Sequence, residues 1–93
     1  MADQHQRDLL VLGKAVREVR EQRGFGADDL AAAAGVAPAR VAALENGRLD
    51  PDFELLLALA KSMGIRPTAF FVRAEELGRQ GAEGRGEEEM PSV

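Results

Sequence analysis

The chain has 93 residues, 45% of them apolar, and a formal net charge of −4. That is enough for one small domain with one core, built from Leu, Val, Ala and four Phe. With no cysteine and a single histidine, disulfide frameworks, thiolate zinc sites and histidine-rich metal clusters are excluded, and no cofactor is expected. The apolar run Leu9–Leu12 is far too short to span a bilayer, and no basic segment precedes it as in a signal peptide, so a soluble, cytoplasmic protein without a membrane partner is expected.

The first helix is predicted over Gln6–Gln22. Leu9, Leu12, Val16 and Val19 form one helical stripe, with Lys14, Arg17, Glu18 and Glu21 off it. Gly24 stops this helix. A second helix begins near Ala27, with Asp28 and Asp29 in its first turn, where the helix dipole favours negative charge. Its inward face is Leu30, Ala31 and Ala34, and it ends at Gly35. A third helix runs from Pro38 to Asn46, with proline at the first helical position, where its missing N–H does no harm. Val41 and Leu44 face inward, and Gly47 follows. A fourth helix takes Asp52 as N-cap and a stripe of Phe53, Leu56, Leu57, Ala60 and Met63, ending at Gly64. A fifth opens at Pro67 and extends through Phe70 as far as Leu77. These patterns define an all-α domain of five helices over residues 1–77.

From Gly78 the composition turns to Gly, Glu, Arg and Pro, too poor in large apolar groups to offset the entropy of ordering. Residues 78–93 are therefore expected to form a disordered acidic tail. The two parts carry the same net charge although the tail is far shorter. Residues 1–77 hold ten Lys/Arg against twelve Asp/Glu, a net of −2; the tail holds Arg79 and Arg85 against Glu83, Glu87, Glu88 and Glu89, another −2. A nearly neutral domain can still carry a local basic patch.

The most informative stretch is GFGADDLAAAAGVAPARVAALENGRLDP, residues 24–51. Two short helices joined by a tight glycine-containing turn are a helix-turn-helix, whose second helix is shaped to lie in the major groove of DNA. Its reading face, however, is nearly blank. The outward positions are Pro38, Ala39, Arg40, Ala42 and Ala43, and Arg40 alone can donate a hydrogen bond to a base edge.

The order and spacing of these pieces resemble the lambda-repressor-like helix-turn-helix family of the Xre/Cro type. The resemblance is carried by Leu12-Gly13 and Val16-Arg17-Glu18-Val19-Arg20, then Gly24-Phe25, Asp29-Leu30-Ala31, Gly35-Val36 and Val41. It continues through Leu44-Glu45-Asn46-Gly47, Pro51, Leu56–Ala60 and Gly64-Ile65, covering residues 9–71.

The resemblance implies a compact five-helix domain that binds double-stranded DNA as a transcriptional regulator of the repressor type. It implies a structural ion pair between Arg20 and Glu45. The pairing has an independent physical motive, because Glu45 sits at a helix C-terminus, where the dipole disfavours an anion. It also implies base-facing roles for Pro38, Ala39, Arg40 and Ala43. Phosphate-facing positions would be Ala27, Arg48 and, at the flank, Lys14, Arg17 and Arg23.

The chain departs from the family pattern at several of these places. Gly26 and Ala27 stand where Ser or Thr and then Gln are usual, so one phosphate contact is missing. Ala37 stands where a Ser or Thr cap is usual, a loss worth about 1 kcal/mol. Proline and alanine can meet a thymine methyl, but they cannot form the bidentate pair that discriminates bases by about 1–3 kcal/mol.

Two readings stay open. In the first, the protein is a sequence-specific DNA-binding regulator, working as a dimer and relying on Arg40, phosphate contacts and DNA shape. In the second, it is a protein-interaction module on a degenerate helix-turn-helix scaffold, engaging a protein partner through the acidic tail or the Ala-rich helix. An enzyme finds no support: there is no cysteine, one near-terminal histidine, no glycine-rich phosphate loop after a strand and no paired carboxylates placed over a cleft. For a homodimer contact, Phe71 and Val72 are the candidates. One Phe of the run Phe70-Phe71-Val72 should close the core, its neighbour then points elsewhere, and an exposed Phe beside Val suggests a contact surface.

Overall fold

The computed structural model describes residues 3–84, and these form five α-helices: α1 (Gln4–Gln22), α2 (Ala27–Ala34), α3 (Pro38–Glu45), α4 (Phe53–Met63) and α5 (Thr68–Gly84). No strand occurs among the described residues. The core gathers one face from each helix: Val16 and Val19 of α1, Leu30 and Ala31 of α2, Val41 and Leu44 of α3, Leu55, Leu56, Leu59, Ala60 and Met63 of α4, and Phe70 of α5. Burying an aliphatic side chain of this size contributes about 1.5–3 kcal/mol, so this cluster supplies the main force holding the helices together. α1 packs against both α3 and α5, while α2 packs against α3 and α4. Among the described residues, no single helix is long and apolar enough to cross a membrane.

Helix ends follow local chemistry. Asp3 caps α1 by accepting from the Gln6 N–H at 2.8 Å. Asp52 does the same for α4 through the Leu55 N–H at 2.8 Å. α2 and α4 both end on a glycine in the left-handed region, Gly35 at φ 73° and Gly64 at φ 71°, which frees the chain to turn without a Cβ penalty. The Val36 N–H then closes back on the Ala31 carbonyl at 3.0 Å.

The packing departs from the sequence reading in two places. Phe53 does not join the α4 stripe and is 67% exposed; Leu55 and Leu59 take the buried positions, and Leu57 is half-buried. Between Phe53 and Ala60 the lone polar residue is Glu54, so apolar periodicity cannot fix which face turns inward. α5 also continues past Leu77 to Gly84, through the residues where the acidic tail was expected to begin. An isolated glycine costs a helix interior only about 1 kcal/mol relative to alanine, so Gly78 need not end it. The remainder of the expected tail, residues 85–93, lies outside the described residues.

Candidate nucleic-acid interface

The helix-turn-helix is fixed to α1 by one ion pair and one close backbone approach. Arg20, near the C-terminal end of α1, meets Glu45, the last residue of α3. Its Nε donates to Glu45 Oε2 at 2.7 Å and its Nη2 to Oε1 at 3.0 Å. The two side chains are only 10% and 8% exposed. The third arm of the same guanidinium, Nη1, donates to the Phe25 carbonyl at 2.8 Å. One side chain thus ties together α1, the turn before α2 and the end of α3. The hydrogen bond to Glu45, opposed in part by burial, holds the Arg20 guanidinium above its ordinary value. No buried side-chain nitrogen or oxygen among the described residues lacks a partner.

The close approach is at Gly13. A Cβ there would collide with the Leu44 carbonyl oxygen and fall 2.8 Å from the Glu45 carbonyl oxygen. The α1 and α3 backbones meet at this point, and only hydrogen fits. A glycine in the middle of a helix is a sequence signal for such an approach, although nothing in the sequence names the partner.

With Val41 and Leu44 in the core, α3 turns its opposite face outward. Pro38, Ala39, Arg40 and Ala42 are exposed and Ala43 is half-buried. Ala37 provides no side-chain cap and Pro38 occupies the first turn. Arg40 therefore stands on an outward surface otherwise made of small apolar side chains. Beyond the end of α3, Gly47 adopts φ 72°, and the Arg48 N–H bonds to the Ala43 carbonyl at 2.8 Å. Arg48 projects exposed from that loop. Among the described residues, Arg40, Arg48 and Lys14 have no ion-pair partner.

The flanking candidates separate by their surroundings. Lys14 is exposed on α1. Arg17 is exposed and meets Glu21 one turn along α1 at 3.4 Å. Arg23 is exposed but engaged by the fold: its Nη2 donates to the Met63 carbonyl at 3.0 Å, satisfying an orphan carbonyl at the C-terminus of α4. Ala27 begins α2 and packs, half-buried, against the core. The first turn of α2 also presents Asp28 and Asp29, both exposed.

Phe71 and Val72, adjacent on α5, border two different grooves. Phe71, 47% exposed, borders a groove with Val11, Leu12, Ala74 and Leu77; Val72, 54% exposed, borders another with Val19, Ile65 and Ala69.

Two contacts had no separate signal in the sequence. Gln6 Nε2 donates to the Gly47 carbonyl at 3.4 Å, and His5 Nε2 lies 3.1 Å from Asp50 Oδ2.

Comparison with known proteins agrees with this architecture. A family model described as helix-turn-helix matches residues 16–70. The chain belongs to the helix-turn-helix family. Over 54 residues it is 39% identical to the HTH-type transcriptional regulator DdrOP3 of Deinococcus deserti, a match covering 58% of this chain and 42% of that protein. The chain therefore spans under half the length of that relative.

Two solved structures share the fold. The restriction-modification controller protein C.AhdI from Aeromonas hydrophila superposes with a TM-score of 0.67 at 28% identity, covering 69% of this chain and 97% of its own. The clp gene regulator ClgR from Corynebacterium glutamicum superposes with a TM-score of 0.70 at 29% identity, covering 74% of this chain and 88% of its own.

Proposed function

We propose that this chain is a DNA-binding transcriptional regulator that docks α3 in the major groove of double-stranded DNA. The observation that carries the reading is the disposition of α3. Its inner face is buried through Val41 and Leu44, it is clamped through Glu45, and its outer face presents Arg40 on a surface of small side chains. An arginine at that place can reach guanine O6 and N7, and alanines allow the helix to approach thymine methyls closely. Arg48 and Lys14, with Arg17 beside them, supply phosphate contacts that position the helix without reading sequence. The similarity to regulators supports the same reading. The protein is a binding protein of the cytoplasm, not an enzyme, and it acts as a homodimer through an α5-centred contact that covers Phe71 and Val72.

A second reading, a protein-interaction module, is favoured by one observation. Asp28 and Asp29 lie exposed at the start of α2, the helix that crosses the phosphate backbone in helix-turn-helix docking. Two carboxylates there oppose DNA and suit a basic protein surface.

Titration against mixed-sequence duplex DNA at roughly 50 and 200 mM salt separates the two, because each phosphate contact steepens the salt slope by about one unit. Binding that weakens steeply between the two conditions supports the DNA reading. No binding at the lower salt removes it.

A further inference from the structure

The N-terminal turn of α1 lies against the loop that carries Arg48. Gly47 and Asp50 bracket Arg48 and Leu49, and both are touched from α1. The Gln6 side chain donates to the Gly47 carbonyl at 3.4 Å. Leu10 sits so close to Gly47 that a Cβ there would fall 3.0 Å from Leu10 Cα. His5 meets Asp50 at 3.1 Å on the other side of the bracket. Leu49, between them, packs against the core. The Arg48 backbone itself is tied to α3 through its N–H bond to Ala43. The only long side chain of this short segment left facing solvent without a partner among the described residues is that of Arg48.

We propose that His5 and Gln6 are positioning residues for Arg48: the first turn of α1 holds the loop after α3 at the height at which Arg48 meets a DNA phosphate. The proposal rests on the DNA-binding reading. Such a clamp matters because a long cationic side chain on an unfixed loop loses conformational freedom when it binds, and a loop already held has less to lose. Each contact is individually weak, one being a single neutral hydrogen bond and the other joining two exposed side chains. The clamp acts through several small contacts on either side of one residue, with the close packing of Leu10 on Gly47 as its fixed point. Asp3, which caps α1, keeps the turn bearing His5 and Gln6 helical.

The test is a double-mutant cycle on the full chain. The probe is a mixed-sequence duplex two helical turns long, with affinity read by fluorescence anisotropy at low salt. Four proteins are compared: the wild type, the double variant His5→Ala/Gln6→Ala, Arg48→Ala, and the three substitutions combined. The double variant is expected to weaken binding about threefold in the wild-type background and not at all when Arg48 is already alanine.

Equal weakening in both backgrounds overturns the proposal, because His5 and Gln6 would then act by their own contacts or through stability. Unchanged affinity in the wild-type background also overturns it, while leaving the DNA reading intact. A wild type that does not bind the duplex removes the DNA reading and this proposal together. Thermal melting of the four proteins serves as the fold control, and a loss of affinity that tracks the loss of folded protein counts against positioning.

Discussion

Arg20 and Glu45 meet through two hydrogen bonds, 2.7 and 3.0 Å long, although they stand 25 positions apart in sequence. The pair closes the end of α3 onto α1 and leaves Glu45 almost fully enclosed. Removing one member of a buried pair strands the other charge, which typically costs about 3–5 kcal/mol. Glu45→Ala should therefore shift the denaturant midpoint far more than Glu54→Ala, because Glu54 is an exposed residue in the first turn of α4. Equal midpoints for the two variants would contradict the structural role given to the pair.

Gly13 gives a prediction of opposite sign to the usual rule. Glycine to alanine inside a helix ordinarily stabilises by roughly 0.5–1 kcal/mol. At Gly13 the new methyl would collide with main-chain oxygens of Leu44 and Glu45, which cannot swing aside as a side chain can. Gly13→Ala should destabilise by about 1–3 kcal/mol, as overpacking does. Gly78→Ala on α5, where a Cβ would meet nothing within 4 Å, should stabilise. The comparison is made by chemical denaturation of both variants. A stabilised Gly13→Ala protein would show that α1 and α3 are not held this closely.

A third prediction concerns self-association. If chains pair through α5, Phe71→Glu should convert a dimer into a single chain of 10.0 kDa, because a carboxylate would be buried without a partner. Sedimentation equilibrium reads this directly. An unchanged mass would place the contact elsewhere or show that the chain does not pair.

Much of this fold is legible in the residues, for identifiable reasons. Over Leu12, Val16 and Val19 the stripe alternates with charged residues and its inward face is legible, whereas Leu9, at the head of the predicted stripe, is only half-buried in the apolar run Leu9–Leu12. Glycines at 35, 47 and 64 mark helix ends because the turns need the left-handed region there. The phase of α4 is not legible, since Leu55–Ala60 is apolar all round and every phase looks inward. The exposure of Phe53 follows from that ambiguity.

The candidate site divides in the same way. The outward positions of α3 follow from the inward ones, Val41 and Leu44. The part played by Arg23 does not, because a carbonyl at the end of α4 leaves no mark on the sequence near residue 23. The contact between the first turn of α1 and residues 47–50 is hidden for the same reason: it joins segments far apart in the chain through polar groups without periodicity.

In the proposed function α3 reads DNA through Arg40 while Arg48 grips the backbone. A competition experiment tests it most directly, using a duplex selected from a random pool against a scrambled duplex at fixed salt, for wild type, Arg40→Ala and Arg48→Ala. Arg40→Ala should lower the specificity ratio by the equivalent of about 1–3 kcal/mol, the worth of one bidentate base contact. Arg48→Ala should weaken both duplexes alike, preserve the ratio and flatten the salt slope by about one unit. An Arg40→Ala protein that keeps the full specificity ratio would contradict base reading by Arg40, because no other side chain on the outward face of α3 can take over that contact.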